Sequence, residues 1–594
     1  MTELLTTGLS LIGLQLVSRL LTFLLNQTLV RFASPEALGT ASIQFEVLIN
    51  TVLFFSREGV RGGLSRTQDE FNRLSEAGPS EKKDTSQGSL LSITRRQQIV
   101  NACFVPIPIG IFFSFVLFFV YRFTVHLTTA QQPHFQTALL FYLIAVLLEL
   151  ISEPAYIHLI LAGKTPRRVK VEGTAVTIKT VTTLFVVLLG YRLGRDWGLL
   201  GFATGQLAYS LSLTICFWAP HFASPSDHPE RTTLALFPRQ IAESQIRPTK
   251  SFFLDSWVAK ADFSLCYALT RQSIIKQFLT EGDKMIISKI CPIAHQGGYA
   301  LAMNYGSLIA RILFQPVEET SRLYFSRSLS TSRAAPKEDE SSSEDSAMAG
   351  LQASVDLLTN LTQFQLHLGL IFVTFGPPYV RLGLWILLGP HSAYLREGSA
   401  STIVEVLRAY CTLLPLLGLN GILEAFVQSA ADEADLNRMS RLMAVWCAVF
   451  VAAVALFSSS WAARTLLLSA EVGMVMATGV NMICRIVYGW TFSRRYVHHR
   501  KAGRALSLAK AAPSSFTIVA FILAAILTRW SETRYDTTLS TEKPSGGLFF
   551  YRGMLRHLLN GLGCFCGCLI VIALSERNRL RQLLFSTSNK PKSE

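Results

Sequence analysis

Apolar residues along this chain gather into fourteen runs, at about 4–30, 36–56, 98–122, 135–162, 170–191, 197–219, 269–291, 296–325, 353–389, 402–429, 436–460, 464–492, 514–530 and 553–574. About 20 apolar residues at 1.5 Å each cross a hydrocarbon core about 30 Å thick, so nearly every run is long enough to span a bilayer. The pattern predicts an all-α polytopic membrane protein with about 14 transmembrane helices. Runs seven and eight are the least apolar. Run nine contains Gly376-Pro377-Pro378, which predicts a broken helix at that point.

Several runs carry polar stripes at helical spacing. In the first, Gln15, Arg19, Thr22 and Asn26 are separated by 4, 3 and 4 residues, which places them within one face about 60° wide. An arginine at mid-helix costs on the order of 3 kcal/mol unless it meets a polar cavity or a partner, so this helix reads as a wall of a polar interior. In the eighth, Arg311, Gln315, Glu318 and Arg322 repeat the same spacing. The turn before run two reads Pro35-Glu-Ala-Leu-Gly39, and the turn before run eight reads Pro292-Ile-Ala-His-Gln-Gly297. Matching polar helices after matching turns point to a duplicated, transporter-like fold. The expected divisions are a six-helix bundle at 1–219, a cytoplasmic linker at 220–268, a second six-helix bundle at 269–492, a basic cytoplasmic loop at 493–513, and two further helices with a cytoplasmic tail at 514–594.

Composition agrees with the pattern. Of 594 residues, 50% are hydrophobic and 16% charged, against about 25% charged in soluble domains. The net charge of +15 sits mainly in alternate loops, as with Arg57, Arg61, Arg66, Arg73, Lys82 and Lys83 after run two and Arg494, Arg495, Arg500, Lys501 and Arg504 after run twelve. Positive-inside bias places these loops and both termini in the cytoplasm. No soluble domain carries a basic patch with interleaved aromatics, so nucleic acid is not an expected partner. The first run is too long for a cleaved signal and lacks a small-residue cleavage site, so a retained first span is expected. The stretch from Lys337 to Asp345 is charged and serine-rich and is expected to be disordered. The ten cysteines show neither metal-ligand spacing nor a disulfide framework.

Each remaining polar group has a bland and a functional reading. Arg57 and Arg61, one turn apart at a membrane edge, are either ordinary anchors or a port for an anionic headgroup, which arginine can hold bidentately. Glu149 and Glu153 are one turn apart in run four. With no nucleophile or metal set beside them they read as a cation or proton site or as salt-bridge partners, not as a catalytic pair. Gln277 through Lys284, with Glu281 and Asp283, is either an unwound gating segment or a helix that begins near 284. Glu318 and Arg322 have the order of an internal ion pair, with Glu319 on another face. Glu424, Asn481 and Arg485 add polar groups to runs ten and twelve. Gly201 and Gly205 are spaced for close helix approach. The sequence at Gly163-Lys164-Thr165 lacks the earlier glycine of a nucleotide-binding loop, so neither a nucleotide nor any other cofactor is expected.

Taken together, Arg19, Asn26, Gln27 and Arg31, Ser56-Arg57-Glu58 with Arg61, Lys276-Gln277 with Thr280-Glu281-Gly282-Asp283, and Gln315-Pro316-Val317-Glu318-Glu319 resemble the endoplasmic-reticulum family called requiring-fifty-three. That family belongs to the multidrug/oligosaccharidyl-lipid/polysaccharide exporter superfamily. The resemblance covers nearly the whole chain. It implies two six-helix bundles around a central cavity plus two C-terminal helices. It also implies a role in N-glycosylation, in which a mannose-rich oligosaccharide on dolichol diphosphate passes from the cytosolic to the lumenal leaflet. The cavity cations would be Arg19, Arg311, Arg322 and Arg485, with Gln15, Asn26 and Gln315 facing sugar hydroxyls. Lys590 and Lys592 resemble a coat-recognised dilysine retrieval signal. Three readings follow: a non-enzymatic flippase of the lipid-linked oligosaccharide; a non-transporting factor that binds the same glycolipid; and a cation- or proton-coupled exporter of another solute, with Glu149, Glu153 and Glu281 carrying the ion.

Overall fold

A computed structural model of the chain describes residues 26–577, apart from 66, 68–69, 74–85, 163, 224–236, 242–256, 331–339, 390–391, 396–398, 501–505, 508–510 and 542–551. Among the described residues all regular structure is helical. The principal helices are α1 (26–32), α2 (Pro35–Ser65), α3 (Ile93–Thr124), α4 (Phe135–Leu161), α5 (Thr165–Arg192), α6 (Gly198–Ala223), α7 (Lys260–Ile290), α8 (293–330), α9 (Glu340–Leu388), α10 (Ser399–Ala430), α11 (Glu433–Phe457), α12 (Ala470–His499), α13 (Ser515–Thr541) and α14 (Arg552–Ser575). Eleven helices among the described residues are long and apolar enough to cross a membrane. Helices α7 and α8 fall short of that standard, in keeping with their polar content.

The chain divides into two compact units between Gly297 and Gly298. In the first, α2 packs along α3, α4 and α7, while α6 lies between α4 and α5. Its core has two parts. One surrounds Phe45, which meets Phe135, Tyr142 and Tyr121; the other surrounds Leu64, Ile99 and Ile157. In the second unit, α10 is the central helix and packs on α8, α9 and α12, with Phe325 edge-on to Phe426 in the core. Helices α13 and α14 pair with each other and rest on α9. Lipid tails are as apolar as leucine, so close packing and polar contacts do the work that water-driven burial does elsewhere.

Glycine decides two of these approaches. A Cβ on Gly205 would lie 2.9 Å from the Lys179 carbonyl, and one on Gly201 would lie 2.5 Å from Val187 Cγ2, so the GxxxG spacing does seat α6 against α5. The two turns that suggested a repeat meet directly. A Cβ on Gly39 would lie 2.6 Å from the Ile293 carbonyl, and one on Gly297 would run into the Pro35 carbonyl. Nearby, Gln44 donates to Gln296 Oε1 at 3.0 Å and accepts from the Tyr121 hydroxyl at 2.6 Å.

Three expectations meet a different outcome. Helix α9 runs unbroken through Gly376-Pro377-Pro378. The prolines cost two backbone hydrogen bonds, but side chains crowd the same turn: Arg408 donates to the Pro377 carbonyl at 3.2 Å, and a His557 ring nitrogen lies 3.2 Å from the Pro378 carbonyl. Helix α7 is continuous through 277–284, neither unwound there nor starting at 284, because its polar residues find partners on α2. Glu340 to Asp345 begins α9, while 337–339 lie outside the described residues. Within the first compact unit, α7 finds its side-chain partners on α2.

Two substitutions test the packing. Gly297→Leu must displace the α2 backbone at Pro35. Overpacking of this kind costs about 1–3 kcal/mol, so the melting midpoint of the purified protein in detergent should fall by several degrees. Gly173 on α5 has no atom within 4 Å of a built Cβ, so Gly173→Ala should leave the midpoint unchanged or raise it slightly.

Candidate functional site

The first unit holds a buried ionic cluster between α2 and α4. Arg57 and Arg61 are one turn apart on α2; Glu149 and Glu153 are one turn apart on α4 and are 4% and 1% exposed. Arg61 grips Glu153 with two hydrogen bonds, Nε to Oε2 at 2.8 Å and Nη2 to Oε1 at 2.5 Å. Arg57 reaches Glu153 Oε1 at 3.0 Å and Glu149 Oε2 at 3.6 Å. The Arg61 guanidinium lies 3.8 Å from the centre of the Tyr156 ring. Glu149 Oε1 also accepts from Gln206 Nε2 at 3.0 Å and Ser210 Oγ at 3.1 Å, both on α6. Gln206 Oε1 in turn accepts from Lys179 Nζ at 2.6 Å. One connected network therefore joins four helices. A buried carboxylate left alone would cost several kcal/mol, and here each has at least one guanidinium partner.

A second cluster joins α7 to α2. Glu281 Oε1 accepts from Asn50 Nδ2 at 3.0 Å, while Lys284 bridges Glu281 at 3.2 Å and Glu46 at 3.3 Å. Gln277, one turn before Glu281, is 7% exposed, and its Nε2 has no hydrogen-bond partner among the described residues. Asp283 is half-buried on the same helix.

In the second unit, Glu318 pairs with Arg322 at 2.6 Å along α8. Glu318 is seated against α10 at Gly421, where a Cβ would lie 2.8 Å from its Oε2. One turn farther along α10, Glu424 pairs with Arg485 of α12 at 2.6 Å and accepts from Asn420 and Gln428. In the first unit the ion pairs run between α2 and α4; in the second they run within α8 and between α10 and α12. Gln315 bonds Glu319 at 2.9 Å, and Arg311 is exposed and bonds Ser307 of its own helix at 3.1 Å. A π-helical turn at Ala310–Phe314, just ahead of Pro316, inserts extra backbone between Arg311 and Gln315. That shifts Arg311 off the straight stripe that 4-3-4 spacing implies.

Of the remaining candidates, Gln15, Arg19, Lys590 and Lys592 lie outside the described residues. Asn26 and Gln27 are half-buried on α1 and Arg31 is exposed. Asn481 is half-buried, one turn before Arg485. Sequence reasoning missed Lys179, Gln206, Ser210 and Tyr156. A lysine in the middle of run five was the available signal. It also missed the junction of α13 and α14 with α9. There, His557 is 1% exposed, stacks on Tyr379 with ring centres 4.2 Å apart and bonds Ser531, while Arg408 pairs with Glu532. All ten cysteines are free, and no group of three metal-ligating side chains occurs among the described residues.

Removing the shared carboxylate should be the most damaging single change in the first unit. Glu153→Ala strands the Arg61 guanidinium and takes the nearer partner from Arg57, and should cost about 3–5 kcal/mol, read as loss of the folded, monodisperse fraction in detergent. Glu153→Gln keeps an acceptor and should lose less.

Comparison with known proteins agrees with this picture. A family profile described as "Rft-1: Rft protein" matches residues 5–585. The Man(5)GlcNAc(2)-PP-dolichol translocation protein RFT1 of Saccharomyces cerevisiae is 31% identical over 520 residues, covering 84% of this chain and 83% of that protein. The protein of the same name from Candida glabrata is 31% identical over 493 residues, covering 80% and 81%. That of Mus musculus is 28% identical over 528 residues, covering 87% and 86%. Among solved structures, the lipid II flippase MurJ in an inward closed conformation shares the fold at 12% identity, with a TM-score of 0.53 over 95% of this chain and 98% of that one. An inward-facing MATE family transporter follows at a TM-score of 0.52 and 12% identity, over 82% and 96%. A helical, polytopic membrane fold, polar clusters buried inside its helices, and a match over nearly all of its length establish that this chain belongs to the Rft protein family.

Proposed function

We propose that this protein moves a dolichol-diphosphate-linked, mannose-rich oligosaccharide from the cytosolic to the lumenal leaflet of the endoplasmic-reticulum membrane, as part of protein N-glycosylation. The observation that carries the reading is similarity across about four-fifths of both chains to proteins named for translocating Man(5)GlcNAc(2)-PP-dolichol. The physical task matches what the helices hold. A diphosphate cannot enter hydrocarbon without counter-charges, and sugar hydroxyls need hydrogen-bond partners to replace water. Arginines, lysines and amides inside membrane helices supply both, and the dolichol tail can stay in lipid throughout.

In this reading the chain crosses the membrane 14 times, with α1–α6 and α7–α12 as the two halves of a duplication, α13 and α14 as additions, and both termini in the cytoplasm. The matching turns at Pro35–Gly39 and Pro292–Gly297 and the matching polar stripes support the duplication. Gln15, Arg19, Asn26, Gln27, Arg31, Arg57, Arg61, Arg311, Gln315, Glu318, Arg322, Asn481 and Arg485 are the substrate-facing candidates. Glu149, Glu153, Glu281, Asp283, Lys284, Glu319 and Glu424 serve gating or ion coupling by exchanging partners during transport. The dilysine tail at Lys590 and Lys592 returns the protein to the endoplasmic reticulum.

Reconstitution tests the reading. Liposomes containing the purified protein should equilibrate a labelled lipid-linked oligosaccharide between leaflets faster than protein-free liposomes; equal rates would eliminate a direct transport role. Arg19→Ala should slow that exchange by about tenfold or more, the worth of one charge-assisted hydrogen bond to phosphate.

A further inference from the structure

We infer that α11 and α12 together form a binding surface for anionic phospholipid headgroups, made by Arg438, Arg441, Arg494 and Arg495. The surface goes beyond the proposed transport activity and uses none of the residues assigned to it.

It grows out of two exposed columns of side chains. On α11, Leu456, Ala452, Ala448, Val445, Arg441 and Arg438 are separated by 4, 4, 3, 4 and 3 residues, and all are exposed. On α12, Ile483, Val487, Thr491 and Arg494 are separated by 4, 4 and 3 residues and are exposed too, with exposed Arg495 beside the last. Such spacing keeps each column on one helix face. Each column begins apolar, as a lipid-facing surface must, and turns basic at one end. The interior polar group of α12 is elsewhere: Arg485 is turned to Glu424 of α10.

The two basic ends stand at one depth. Helices α11 and α12 form an antiparallel hairpin, in which Ser458 Oγ, just past α11, donates to the Ala470 carbonyl at the start of α12 at 3.3 Å. Farther along, Trp446 meets Tyr488 with ring centres 5.5 Å apart. At 1.5 Å per residue, Arg441 and Arg438 lie about 8 and 12 Å from Trp446 along α11, and Arg494 and Arg495 about 9 and 11 Å from Tyr488 along α12.

The protein itself does not hold these four guanidinium groups. Among the described residues no carboxylate oxygen lies within 4.0 Å of any of them, whereas Arg95 is taken by Glu70 and Asp262, and Arg168 by Glu172. The acidic residues of this hairpin end are Asp432, Glu433 and Asp435. Asp432 caps α11 by accepting from the Asp435 amide at 2.8 Å. Asp435 is half-buried one turn from Arg438 and offsets part of its charge. Against these three carboxylates stand eight arginines and lysines in 432–441 and 494–510. The other acidic run of the unit, Glu338 to Asp345, leads into α9, which packs on α8, α10 and α13.

Position and chemistry select the ligand. Acyl chains run along the apolar part of both columns, so the group that reaches the arginines is a headgroup. Guanidinium takes phosphate oxygens bidentately. A net negative headgroup gains over phosphocholine, which carries its own cation, by about fivefold in affinity per arginine.

The full-length protein is melted in nanodiscs of phosphatidylcholine and in nanodiscs where part of that lipid is phosphatidylinositol. Phosphatidylinositol should raise the wild-type midpoint by several degrees, and added salt should shrink that increment. The fourfold variant Arg438→Gln, Arg441→Gln, Arg494→Gln, Arg495→Gln should melt with the wild type in phosphatidylcholine, because it breaks no contact, and should lose most of the increment. Arg192→Gln combined with Arg195→Gln, both exposed where α5 ends, should keep it. The inference is overturned if the fourfold variant keeps the increment or melts below the wild type in phosphatidylcholine. It is equally overturned if the α5 control loses as much, if salt leaves the increment untouched, or if phosphatidylinositol does not move the wild type. A soluble acidic peptide that raises the wild-type midpoint where phosphatidylinositol does not would assign the band to a protein partner instead. Liposome exchange of the oligosaccharide lipid is read separately, so the flippase reading stands or falls on its own measurement.

Discussion

A charge inside a membrane helix must have a partner, and most of the polar geometry in this protein follows from that requirement. Glu153 is the clearest case. It is almost wholly buried, and it is held by two arginines that lie one turn apart on a neighbouring helix. Because Arg57 also reaches Glu149, the two carboxylates and two guanidinium groups form a lattice that fixes α2 against α4. Apolar packing alone would specify this register weakly, since leucine meets lipid and leucine meets protein at similar free energy. Ion pairing restricts it to one arrangement.

The same requirement explains where transport chemistry can reside. Arginines committed to carboxylates are poor phosphate ligands until they are released, because releasing them uncovers a buried carboxylate. The pairs Glu318–Arg322 and Glu424–Arg485 are half-exposed and hold their arginines less tightly. Buried ion pairs of this kind suit a transporter, which must offer charge to its substrate in one state and neutralise that charge internally in another.

Proline and glycine have unequal effects here. Pro316 follows a π-helical turn, and Pro377 and Pro378 sit inside an unbroken helix whose carbonyls are met by Arg408 and His557. In water such prolines would end a helix; in lipid the cost of exposing backbone holds the helix together and recruits side chains to it. Gly39 and Gly297, by contrast, permit a backbone contact that any side chain would prevent.

The sequence alone determined the class of the fold, the positions of nearly all the helices and the family, because hydrophobic length and charge bias act locally along the chain. It also made Glu149, Glu153, Glu318 and Arg322 recognisable as polar residues in helices that must cross lipid, and it marked Gly39 and Gly297 through their matching turns. What only the tertiary structure decided is who partners whom. Arg57 and Arg61 could as well have served as anchors at the membrane edge, and nothing in their spacing names Glu153, which is 92 residues away from Arg61. The continuity of α7 was likewise illegible, since a polar run inside a helix is tolerable only when a second helix satisfies it.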